Sequence, residues 1–115
     1  MNKGTNYFSF HELITTDTGL PNIPKEIHHV ENLISLCDLL NKIRYALGSP
    51  IYVNSAFRTK EVNAKVGGAA RSLHLSGRAA DIRAKNLEDL KDVIDGIQER
   101  LTEYIIYPTF IHIAL

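Results

Sequence analysis

Between Lys25 and Leu47, apolar Ile27, Val30, Ile34, Cys37, Leu40 and Leu47 recur at spacings of three, four and seven residues, and Leu33, Leu36 and Ile43 widen the stripe. That period belongs to a helix with one buried face. A helix over this range is about 35 Å long, roughly the width of a small domain, so the rest of the chain has to pack along it. Pro24 suits its first turn and Gly48 its C-terminal stop. Cys37 falls on the stripe and reads as a small core hydrophobe rather than a nucleophile. A chain of 115 residues is of ordinary size for one domain, and we expect a single domain over residues 1–115. At that length a fold buries roughly two-thirds of its unfolded surface and needs no disulfide or metal merely to form.

The remaining segments are shorter. Ser9, with Glu12 three residues on and apolar Leu13 and Ile14, predicts a short capped helix that the loop around Gly19, Pro21 and Pro24 breaks. Ile51, Tyr52 and Val53 predict a strand, and Thr59 a cap for a short helix to about Lys65, ended by Gly67 and Gly68. Residues 78–84 predict a strand with Ala79, Asp81 and Arg83 on one face. Asn86 caps a further helix whose inward residues are Leu87, Leu90, Val93, Ile94 and Ile97. Residues 103–107, a turn at Pro108 and Thr109, and residues 110–115 predict a β-hairpin. The order α, α, β, α, β, α, β, β does not make repeated βαβ units. It points to an α+β fold in which helices pack against a small, mainly antiparallel sheet.

Composition removes several function classes. Thirteen basic and thirteen acidic residues cancel, which excludes a strongly basic nucleic-acid domain and a polybasic membrane binder. A lone cysteine makes no intrachain disulfide and no cysteine-based zinc site. The apolar runs are too short to insert in a membrane. The N-terminal MNKGTNYFSFHEL lacks the apolar core of a signal peptide, so we expect synthesis in the cytosol, with a monomer as the default state.

Chemistry concentrates in residues 72–81. His74 and Asp81 stand seven residues apart, joined by a turn at Gly77 that leads into a strand. His112 lies in the last strand, pointing with Phe110 and Ala114 away from Ile111 and Ile113. Two imidazoles and a carboxylate leave one coordination position open, the pattern of a catalytic zinc. Spacing alone favours the plainer reading of a loop histidine, an aspartate paired with Arg83, and a buried core histidine, because the last histidine is distant in sequence. His28 and His29 are adjacent on a helix and diverge, so they form no chelating pair.

Ser55-Ala-Phe-Arg58-Thr, Asn63, Val66-Gly67-Gly68-Ala69, Ser72-x-His74-x-x-Gly77-x-Ala79-x-Asp81 and the late Phe110-Ile111-His112 follow one another in order. Together they resemble the M15 family of zinc D-Ala-D-Ala peptidases. The N-terminal Tyr7-Phe8-Ser9-Phe10-His11-Glu12-Leu13 and the long helix also have counterparts in compact phage and bacterial members, so the resemblance covers nearly the whole chain. It implies a Hedgehog/DD-peptidase-like fold and a Zn2+ cofactor held by His74, Asp81 and His112. It also implies hydrolysis of peptide bonds in peptidoglycan stem peptides, as a D,D-carboxypeptidase or endopeptidase, by a protein encoded by a phage or released to the cell wall. Arg58 becomes the cation that meets the developing negative charge of the substrate. Ser72 either contacts substrate or shapes its loop.

The chain departs from the family pattern at the general base. Many relatives carry a glutamate shortly before the last histidine or an aspartate two residues after it, where this chain has Tyr107 and Ala114. Glu103 is the nearest carboxylate upstream of His112 and is the candidate base. The alternative reading is a non-catalytic cell-wall-binding or phage structural module that keeps the peptidase fold.

Overall fold

The computed structural model describes residues 7–115, in the predicted element order. Helix α1 (Phe10–Ile14) opens on the expected capping box, with the Ser9 hydroxyl accepting from Glu12 N and the Glu12 carboxylate accepting from Ser9 N. Helix α2 spans Ile27–Leu47 and ends at Gly48, whose N–H donates to Arg44 O at 3.0 Å. Its start is two residues later than expected, and Pro24 lies outside it. Buried Asn22 holds the preceding segment in place: its amide donates to Ile14 O and Phe57 O while its oxygen accepts from Thr59 N. Those tertiary bonds, rather than helix geometry, fix the backbone around the prolines.

The buried face of α2 is also rotated from the expected one. Leu33, Leu36, Leu39, Leu40 and Ile43 are buried, whereas Ile27 and Ile34 are 67% and 62% exposed. With apolar residues on most of its circumference, the sequence fixes the period of this helix but not its phase. Cys37 is half-buried at the margin of the core, its thiol donating to Phe8 O, and burial pushes its pKa up. It is accordingly a poor nucleophile.

Strands β1 (Ile51–Ser55), β2 (Ala79–Ala84), β3 (Glu103–Ile106) and β4 (Ile111–Ala114) form one sheet in the order β1-β2-β4-β3, every pair antiparallel. The two central strands are therefore β2 and β4, which carry Asp81 and His112. One face, with Ala80, Ile82, Ile111 and Ile113 fully buried, shares the core with α2 and with Leu90 and Ile94 of α4 (Leu87–Asp95). Asn86 caps α4 and Thr59 caps α3 (Lys60–Lys65), both as expected. Among the described residues no helix is long and apolar enough to cross a membrane.

Gly77 closes the 3-10 turn Leu73–Ser76 with a left-handed φ of +76°. A Cβ there would meet His29 O of α2 at 2.8 Å, so glycine is required both for the backbone angle and for the close approach to the long helix.

Candidate metal centre

Asp81 and His112 face each other as register partners of β2 and β4, on the side of the sheet opposite the core. His74 reaches the same point from the 3-10 turn that precedes β2. Its Nδ1 lies 2.6 Å from Ala56 O, and since a carbonyl only accepts, Nδ1 carries the proton and Nε2 is free to act as a ligand. The return bond, Arg58 N to His74 O at 3.0 Å, locks the 56–58 segment against the turn. Ser72 accepts from His74 N at 3.1 Å and thereby shapes this loop.

The three side chains converge. His74 Nε2 is 3.3 Å from Asp81 Oδ2, and His112 Nδ1 is 2.7 Å from Asp81 Oδ1. One donor atom from each residue lies within 4.8 Å of the others. Burial pushes the Asp81 carboxyl up, but hydrogen bonds from His112 and His74 outweigh it and hold the group well below the usual carboxylate range. The bond to Asp81 raises the proton affinity of His112, burial opposes it, and Glu103 adds to it. A contact of this kind between a carboxylate and an imidazole requires a shared proton, and a divalent cation satisfies the same lone pairs. Two imidazole nitrogens and a carboxylate are a donor set that fits zinc.

Arg58 stands beside the triad, its side chain largely buried. Its Nε donates to Ser55 Oγ at 3.0 Å, one terminal nitrogen to Asn63 Oδ1 at 3.2 Å, and the other faces Asp81 Oδ2 at 3.4 Å. Burial lowers its pKa and Asp81 counteracts that. Asn63 is itself fixed, because its amide donates to Ala69 O and its carbonyl accepts from Gly68 N. A side chain at Gly68 would overlap the Asn63 side-chain oxygen and approach Arg58 NH1 to 2.9 Å. The Gly67-Gly68 pair is thus more than a turn, since Gly68 makes room for the anchor of the guanidinium. Sequence reasoning placed Ser55 and Asn63 in a motif without giving either a task.

Glu103, the candidate base, stands against His112. Its Oε1 lies 2.8 Å from His112 Nε2, the ring nitrogen turned away from Asp81. The carboxylate therefore meets the triad through the imidazole. Among the described residues, His74, Asp81 and His112 are the cluster able to hold a metal.

Two comparisons with known proteins bear on this site. The sequence profile of the family described as Peptidase M15 matches residues 6–114. The zinc D-Ala-D-Ala carboxypeptidase of Streptomyces albus G is 48% identical over 46 residues, which are 39% of this chain and 18% of that protein. The chain thus matches less than a fifth of that relative's length.

Proposed function

The chain belongs to the peptidase M15 family, and on that footing we propose that it is a zinc-dependent metallopeptidase hydrolysing peptide bonds in peptidoglycan stem peptides. The observation that carries this reading is the convergence of His74, Asp81 and His112 beside a buried, anchored arginine. His74 Nε2, the Asp81 carboxylate and His112 Nδ1 would hold the zinc, which when bound would supply Lewis acidity for activating water and polarising a scissile carbonyl.

The chain's own residues do the rest. Arg58 offers a fixed positive charge to the oxygen on which negative charge develops, or to a terminal carboxylate of the substrate. Ser55 and Asn63 hold two of its nitrogens, so the guanidinium loses little further freedom on binding. Ser72 accepts from His74 N and keeps its own hydroxyl proton to offer a substrate carbonyl. The D-Ala-D-Ala specificity in the relative's name supports a stem-peptide substrate.

The test is metal content and muropeptide hydrolysis of wild type and His74→Ala, both purified without added zinc. Wild type is expected to retain zinc and to release product, and the variant to lose both. A metal-free protein with undiminished hydrolysis after the substitution would end this reading. The engagement of Glu103 by His112 favours a second one, a module that binds wall peptides without cutting them. Binding to purified peptidoglycan with no product after prolonged incubation with zinc would select it.

A further inference from the structure

We propose that Glu103 is a positioning residue that selects which nitrogen of His112 faces the metal. This inference rests on the zinc reading above. A neutral imidazole carries one proton, and the partner of one ring nitrogen decides which nitrogen keeps it. Glu103 Oε1, 2.8 Å from Nε2, accepts and so holds the proton there. When a cation takes the place of the proton shared with Asp81, Nδ1 presents its lone pair to the side of the ring where Asp81 and His74 lie.

The backbone supports this assignment. Glu103 pairs with Ala114 across the hairpin while His112 pairs with Ile105, so Glu103 and His112 are diagonal neighbours on one face of the sheet. The end of β3 is pinned next to Glu103, where Thr102 N donates to Ala114 O at 2.9 Å and the Thr102 hydroxyl to Leu115 O at 3.0 Å. The two histidines are thus oriented by different means. A buried backbone carbonyl, Ala56 O, fixes His74, whereas a side chain that substitution can remove fixes His112.

The experiment measures zinc affinity by competition with a chromophoric chelator for wild type, Glu103→Ala and Glu103→Gln. It also records 15N spectra of the His112 ring in the zinc-loaded wild type. Glu103→Ala is expected to bind zinc about 10–100-fold more weakly. Glu103→Gln, which still presents an oxygen to Nε2, should recover most of that loss, and the spectra should show a protonated Nε2. Wild-type affinity in Glu103→Ala, a glutamine variant as weak as the alanine one, or a metal-bound Nε2 would each overturn the assignment. In those cases zinc uptake by wild type and its abolition in His74→Ala leave the metal site standing. A wild type that takes up no zinc would overturn the parent reading and this one with it.

Discussion

The two faces of the sheet are built on opposite principles from the same two central strands. On one face Ala80, Ile82, Ile111 and Ile113 are fully buried in one apolar cluster with Leu36, Leu40, Leu90 and Ile94. On the other, Asp81, His112, Ser55 and Glu103 form a connected polar group with His74 and Arg58. The first face is stabilised by area removed from water, which is non-directional and tolerant of detail. The second depends on each polar atom having a partner, and among the described residues no buried side-chain nitrogen or oxygen lacks one. Alternation along β2 and β4 lets one segment serve both ends at once. The faces should therefore respond differently to perturbation.

The largest effect is expected on the apolar side. Ile82→Ala should destabilise the protein by about 2–5 kcal/mol in urea titration. Zinc affinity of its folded fraction should be unchanged; if zinc binding weakens in step with stability, the two faces are not separable. A smaller effect is expected from Gly68→Ala, which displaces Asn63 and loosens Arg58. Peptide hydrolysis should fall by about 10–100-fold in kcat/KM while zinc affinity stays near wild type. Undiminished hydrolysis would show that the anchoring of Arg58 does not matter.

The smallest effect is the pH dependence of stability in metal-stripped protein. Asp81 is depressed from 3.8, so its contribution is present above that pH and is lost as pH falls toward the folded-state value. His112 is raised from 6.5, so its contribution is present below that pH and is lost as pH rises through the folded-state value. Thermal melting should show highest stability between these two limits, and zinc should remove the alkaline decline by taking the place of the His112 proton. An alkaline decline that persists in full with zinc bound would contradict the shared position of proton and metal.

Much of this arrangement was legible in the sequence where a local rule acts. The capping box at Ser9, the caps at Thr59 and Asn86 and the hairpin depend on neighbours in the chain, and all four form. The inward and outward sides of β4 followed from the alternation of Ile111, His112 and Ile113. Legibility failed where a distant partner decides. The phase of α2 is set by which side meets the sheet, so Ile27 and Ile34 lie outward although they match the period. The segment before α2 obeys Asn22 rather than Pro24. Glu103 offered the sequence only its proximity to His112, and which ring nitrogen it meets depends on the register of β3 against β4.

The register of β1 against β2 slips between Val53 and Ser55. Up to Val53 the strand alternates so that Ile51 and Val53 join the core; the slip then sets Ser55, in place of Asn54, across from Asp81. Asn54 turns instead to accept from Arg83. One inserted residue thus resets the parity of the strand midway, so its first half is tuned to the hydrophobic interior and its last residue to the guanidinium of Arg58. A strand that kept all five residues in uniform alternation would instead set Asn54 across from Asp81 and turn Ser55, the arginine's tether, to the core side of the sheet.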